Sequence, residues 1–324
     1  MKIIPTIHSS FPRIGEHPEE QKLRRAYAGL DEGKITKAEF TEIENDLITE
    51  VMAIQEKSGI GIVTDGLIRW YDPVSHIARN FDGFEINGLL RFFDTNFYYR
   101  QPIFHGGLAA KLNLLECEIL FAAENTHKPI KSVILGPISL AGMSLDKTGT
   151  KFEEFALDIA DAMAEKITLL EKAGAHYIQI EEPWIVKHPE HFPVLKKAVE
   201  MINATKHNSR IILTFYFGDI NGIYKHLQDI DVDMLGIDFT YSPGLLKKMI
   251  ADKFPKPLAI GILDARNTRL ESATEVASEI TPLLKQMHGD ECHLMTSCGL
   301  EYLPRNYAIK KLELTAQVAK IING

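Results

Sequence analysis

Eight short apolar, β-branched runs punctuate the chain, and helical patterns separate them. The runs are 3–7, 60–64, 130–135, 177–180, 211–217, 234–237, 258–263 and 293–295. Runs this short, without polar alternation, suit parallel strands buried on both faces. Between them, residues 152–173 place Phe155, Ile159, Met163, Ile167 and Leu170 three and four apart, which makes one apolar helical face. Ala173-Gly174-Ala175 then supplies a glycine stop. Segments 271–287 and 307–322 carry a similar pattern. Strands alternating with helices predict an α/β fold, a (β/α)₈ TIM barrel. No glycine-rich loop follows the first run, so a dinucleotide-binding doubly wound sheet is disfavoured. We read residues 1–324 as one such barrel, a length ordinary for this fold.

One stretch breaks the alternation. Residues 66–128 separate the second run from the third and contain the aromatic-rich segment 91–99. An insertion of this length after strand two is either functional or has secondary structure of its own.

Global properties narrow the function classes. The net charge of -8 argues against a general nucleic-acid binder. No stretch approaches the roughly 18 uninterrupted apolar residues of a membrane span. The first residues carry neither an apolar core nor a small-residue cleavage site, so no signal peptide is expected. Three cysteines, Cys117, Cys292 and Cys298, form no disulfide framework, which fits a reducing cytoplasm.

A barrel of this kind works at the C-terminal ends of its strands. Those ends are polar here: His8-Ser9-Ser10, Asp65-Gly66, Glu181-Glu182-Pro183, Thr214 to Asp219, Asp238, Asp264 to Asn267, and Ser297-Cys298-Gly299. So many carboxylates at one mouth need cations or shared protons, and Arg69, Arg91 and Arg266 are candidate cations. Asp219 and Asp238 also suit helix capping, and both readings stand. Glu181 and Glu182 cannot both point into a core, so at least one should line the mouth. Cys298 is either a small buried hydrophobe or a ligand or nucleophile. No His-x-x-x-His, Cys-x-x-Cys or His-x-Cys pair occurs. Asp238 and Cys298 alone fall short of the three protein ligands of a catalytic zinc. The run Lys22-Leu23-Arg24-Arg25 opens a helical segment after Phe11-Pro12-Arg13-Ile14-Gly15. It is either a solvated helix face or a flank of the mouth that binds an anion.

Segments along most of the chain together resemble the cobalamin-independent methionine synthase family. They are Phe11-Pro12-Arg13-Ile14-Gly15, Trp70-Tyr71-Asp72, 93–99, Leu135-Gly136-Pro137, 178–183, 213–217, 261–267 and Thr296-Ser297-Cys298. Full-length members carry two related barrels. The C-terminal barrel holds the zinc that activates homocysteine, and the N-terminal barrel helps hold the polyglutamate tail of the folate. This chain is more similar to the N-terminal, non-zinc barrel, here as a stand-alone chain. The resemblance implies a strand-five His-x-Cys pair where Thr214 and Tyr216 stand, so zinc is not expected. It places the third metal position at Asp238 and the fourth at Cys298. An acid that anchors the homocysteine amino group is Leu67 here, a second acid is kept as Glu181, and the general-acid histidine is replaced around Arg266. On the tail side the resemblance points to Gln21, Lys22, Arg24 and Arg91.

The expected machinery is therefore Glu181, Asp238, Arg266 and Cys298 as catalytic groups. Ser10, Arg13, Gln21, Lys22, Arg24, Arg69, Arg91, Glu182 and Tyr216 are expected to bind substrate, with no metal ligand. The expected activity is methionine-synthase-type methyl transfer. The chain would bind a methylated folate or pterin and serve homocysteine together with a separate zinc-bearing barrel. Alternatives are an independent methyltransferase with another donor, such as a corrinoid, and a non-catalytic ligand-binding homologue. Neither nucleic acid nor membrane is an expected partner.

Overall fold

The computed structural model describes residues 1–112, 114–242 and 244–324. Seven parallel strands form one curled sheet in the order β1 (Lys2–Pro5), β10 (Glu291–Thr296), β9 (Leu258–Leu263), β8 (Met234–Asp238), β7 (Arg210–Phe215), β6 (Ala175–Glu181) and β4 (Ile130–Leu135). All six residues of β4 are buried, as are five of the six in β7, β9 and β10, as continuous apolar runs predict. Helices pack outside: α6 (Phe152–Lys172), α7 (Phe192–Asn203), α8 (Leu245–Ala251), α9 (Ala273–Leu284) and α10 (Arg305–Asn323). The predicted apolar face of residues 152–173 is the buried face of α6: Phe155, Ile159, Met163, Ile167 and Leu170 are 2% exposed or less.

The second run differs from expectation, because 60–64 is not a regular strand. It spans the gap between the sheet's two edges through single bridges, Thr6 to Ile62 and Val63 to Ile130. Gly61 N–H donates to the Pro5 carbonyl at 2.8 Å, and Lys131 N–H donates to the Val63 carbonyl at 2.9 Å. The ladder ends there because a helix residue takes over the next backbone groups. Gln55, on α2 (Lys37–Lys57), takes both backbone groups of Thr64, donating to its carbonyl at 2.8 Å and accepting its N–H at 3.0 Å.

Residues 66–128 have secondary structure of their own. They contain α3 (Pro73–Ala78), the antiparallel pair β2 (Phe84–Arg91) and β3 (Tyr98–Phe104), and α4 (Leu115–Glu124). The short β5 (Leu145–Asp146) adds a third strand to the pair. Ahead of α2, α1 (Lys22–Asp31) begins with the basic run. Among the described residues, no helix is long and apolar enough to cross a membrane.

Candidate active site

A pocket opens where the strand ends predict a mouth. Its wall comes from Ser9, Ser10, Phe11 and Arg13 after β1, and from Leu67 and residues 70–73 after the run 60–64. Phe92, Phe97 and Tyr98 of the β2–β3 turn add to it, with Glu181, Tyr216, Gly299, Glu301 and Tyr302. Water-sized space inside amounts to about 40 Å³, so the aromatic walls nearly meet. Among the described residues, three of the four non-glycine residues with left-handed φ border this region: Leu67 (52°), Phe93 (50°) and Phe217 (65°). Side chains rarely sit there. Phe217 is held by its neighbours, with ring centroids 5.6 Å from Phe93, 5.6 Å from Tyr302 and 6.0 Å from Phe92.

Glu181 is the acid at the floor. It ends β6, is 4% exposed, and accepts from the Tyr216 hydroxyl at 2.6 Å and from Gln179 Nε2 at 2.9 Å. His8 Nδ1 lies 3.4 Å from the same carboxylate. Burial pushes the Glu181 carboxyl up to about 7, against the hydrogen bonds from Tyr216 and Gln179. Burial, and then the charge of Glu181, raise the Tyr216 phenol. Glu301, which also lines the pocket, is likewise raised by burial. Beneath them Lys131, 1% exposed, donates to the Ile7 carbonyl at 2.6 Å and to Gln179 Oε1 at 2.8 Å. Burial lowers this ammonium to about 7, and Glu181 opposes the shift.

A second group lies beside the first. Asp238 and Cys298 are both fully buried. Burial pushes the Cys298 thiol well up, and the nearby Asp238 carboxylate adds to the rise. Asp238 itself is pushed up to about 6 by burial, while its bonds from Thr240 and the Arg266 charge oppose the shift. Its Oδ1 accepts the Thr240 N–H at 2.8 Å, so it makes a turn rather than capping a helix, and its Oδ2 has no partner among the described residues. Asp219 does cap, accepting the Asn221 N–H at 3.0 Å. Arg266 lies over the Tyr241 ring, 4.1 Å from its centroid, and 5.7 Å from that of Phe217.

These residues do not fit a zinc ion. Thr214 Oγ1 is buried without a partner among the described residues, and the Tyr216 hydroxyl is committed to Glu181. Among the described residues, no three His, Cys, Asp or Glu side chains gather so as to hold a metal.

Ser10, Arg13, Glu181 and Tyr216 thus share one pocket, with Asp238, Cys298 and Arg266 alongside. Other expected residues lie elsewhere. Glu182 turns away from the mouth and is fully buried. It accepts the N–H groups of Ile138 (3.0 Å) and Ser139 (2.7 Å) at the start of α5 (Pro137–Met143), where a carboxylate matches the free helix amides. Arg69 bonds Asn45 and lies over the Phe121 ring, 5.1 Å from its centroid. Arg91 donates to the Thr95 carbonyl at 2.5 Å within its own turn. Gln21 reaches the Gly15 carbonyl at 3.5 Å, Lys22 pairs with Glu50 at 3.5 Å, and Arg24 is exposed on α1. None of these six lines the pocket. Arg13 lines it with its guanidinium spent on the Trp70 and Tyr71 carbonyls. Sequence reasoning missed Lys131, Gln179, Glu301 and Tyr302. A lysine inside the apolar run 130–135 was the available signal.

A family model described as "Cobalamin-independent synthase, Catalytic domain" matches residues 11–321. The chain belongs to this family. The methionine synthase of Sulfurisphaera tokodaii is 28% identical over 315 residues, covering 95% of this chain and 91% of that protein. A methionine synthase of Saccharolobus islandicus is 29% identical over 315 residues, covering 95% and 93%. A B12-independent methionine synthase from a Shewanella species, solved with selenomethionine, superposes with a TM-score of 0.81 at 18% identity. That match covers 100% of this chain and 98% of the other, and at this identity the likeness is one of fold. Within the cobalamin-independent methionine synthase family, the matching model is that of the catalytic domain. The finer likeness to the N-terminal barrel rests on the segments quoted above and on Thr214 and Tyr216.

Proposed function

We propose that this chain is a methyl-transfer protein of the methionine synthase type. In this reading it binds a methylated folate or pterin with an anionic tail at the mouth. It contributes to methyl transfer to homocysteine together with a separate zinc-bearing barrel. The observation that carries the reading is a pocket that keeps its buried acid and aromatic walls while its metal corner holds Thr214 and Tyr216. Flat rings such as Trp70, Phe97 and Tyr302 suit a planar heterocycle. Glu181 and Glu301 suit its N–H groups or an amino acid's ammonium. Lys22 and Arg24, exposed at the start of α1, offer charge to a tail. We take the curled sheet and its seam as a closed (β/α)₈ barrel with 66–128 inserted after strand two. Three free cysteines suit a cytoplasmic setting.

Thiol activation explains the need for a partner. A free thiol with a pKa of about 8.5 is mostly protonated at pH 7. Cys298 and Asp238 are themselves pushed up, and Arg266 is held over Tyr241, so nothing at this mouth replaces a metal as activator. The test is homocysteine methylation by the purified chain alone, by a zinc-bearing barrel alone, and by both. Activity only in the mixture is the expected result, and full activity of the partner alone sinks the reading. A second reading is an independent methyltransferase with a corrinoid donor, and the adjacency of Asp238, Cys298 and Arg266 favours it. Methyl transfer from a methylcorrinoid by this chain alone would select that reading. Tight folate binding without turnover under any condition would leave a non-catalytic binding protein.

A further inference from the structure

A lysine inside a barrel is costly, because an apolar residue of similar length would fill the space without desolvating a charge. Lys131 is 1% exposed, and its ammonium makes two bonds, to the Ile7 carbonyl at 2.6 Å and to Gln179 Oε1 at 2.8 Å. An ammonium only donates. The Gln179 oxygen must therefore face Lys131, and its NH₂ must face the other way. There Nε2 donates to Glu181 Oε1 at 2.9 Å and lies 3.5 Å from His8 Nδ1. The Ile7 bond ties the same lysine to the segment that carries His8, Ser9 and Ser10 on the facing wall.

We propose that Lys131 is a positioning residue: it fixes the direction of the Gln179 amide, and through it holds the Glu181 carboxylate in the pocket. The inference rests on the reading of Glu181 as the acid that meets the ligand. Without the ammonium, the Gln179 amide is free to turn its oxygen toward the carboxylate, which would repel it. The other groups facing Glu181 are His8 and Ser9 after β1, Tyr216 after β7, and Glu301 and Tyr302 after β10. Those facing Lys131 are His8, Glu181 and His293 of β10. Only Lys131 bonds the far side of the Gln179 amide among the described residues.

The test reads Glu181 directly and needs no ligand, so it stands apart from the methyl-transfer assay. Protein labelled with ¹³C at the glutamate carboxyl is titrated by NMR, and Glu181→Gln identifies the resonance. Lys131→Met should move the Glu181 titration upward by about one pH unit or more. Gln179→Leu should move it upward by a similar amount. The double variant should move it by clearly less than the sum of the two single shifts, since the lysine acts partly through the amide bond and partly through its own charge. Fully additive shifts would mean that the lysine acts only through its charge, which overturns the role of the amide. A Glu181 titration unmoved in Lys131→Met, with only a lower melting temperature, overturns the proposal. Should Lys131→Met not fold, Gln179→Leu decides, because an unmoved titration there overturns it equally.

Discussion

The Tyr216 hydroxyl donates to Glu181 Oε2 at 2.6 Å between the ends of neighbouring strands. The tyrosine stands where the family resemblance puts a sulfur ligand, so the metal corner of the mouth is filled by a phenol serving an acid. Tyr216→Phe removes that donor from a buried carboxylate. The Glu181 carboxyl, already up at about 7, should titrate higher still. The loss should cost about 1–3 kcal/mol of stability above that pH, read by denaturant unfolding at pH 8.

Glu181 also makes stability depend on pH. Its folded-state pKa of about 7 lies above the ordinary 4.5, so the folded state holds a proton that the unfolded state has lost. The contribution is full below about 4.5 and is lost as the pH rises through about 7. Glu181→Gln carries no charge to desolvate. It should gain on the parent by about 1–3 kcal/mol between pH 5 and pH 8. Melting temperatures of both proteins across that range are the measurement, and a constant difference counts against the assignment.

Glu182 should behave as a structural group. Glu182→Ala leaves the Ile138 and Ser139 amides at the head of α5 without their acceptor. A loss of about 2–4 kcal/mol is expected. Chemical denaturation gives the number, and the Glu181 titration in the surviving folded protein should stay in place.

Metal content can be changed by design. The parent, dialysed against excess zinc and then buffer, should retain less than about 0.2 zinc per chain. Thr214→His with Tyr216→Cys would add an imidazole and a thiolate beside Asp238 and Cys298, a four-donor set of the kind zinc takes. That double variant should retain near-stoichiometric metal by atomic emission. Stoichiometric zinc in the parent would overturn the reading of this corner as unable to hold the metal.

The basic start of α1 predicts tail discrimination. Arg24 is exposed and has no acidic partner within 4 Å among the described residues. Arg24→Glu should weaken binding of a methylated folate triglutamate by about tenfold at low salt and leave the monoglutamate nearly unchanged. Calorimetry at two ionic strengths tests both halves of the statement.

Strands and outer helices were legible because burial on both faces demands uninterrupted apolar runs, and 130–135 and 258–263 match β4 and β9 residue for residue. The run 60–64 misled for a tertiary reason: Gln55 satisfies Thr64 from a helix, which no local pattern announces. Within the site, Glu181 and Tyr216 could be named from their places at strand ends. Glu182 could not be separated from its neighbour, since one residue of register decides which acid faces the mouth and which faces α5. Lys131 and Gln179 were hidden because their partners lie 124 and 48 residues away from Lys131 along the chain.

The seam at residues 60–64 has a bearing on how anything enters. A ligand the size of a pterin would meet the residues that follow this seam. Elsewhere in the curled sheet, neighbouring strands share four or more paired positions, whereas here a single bridge lies on each side. The chain leaving this thin stave carries Leu67, Trp70, Tyr71 and Asp72, a whole side of the opening. The strand position with the thinnest pairing is therefore the one that feeds this side of the opening.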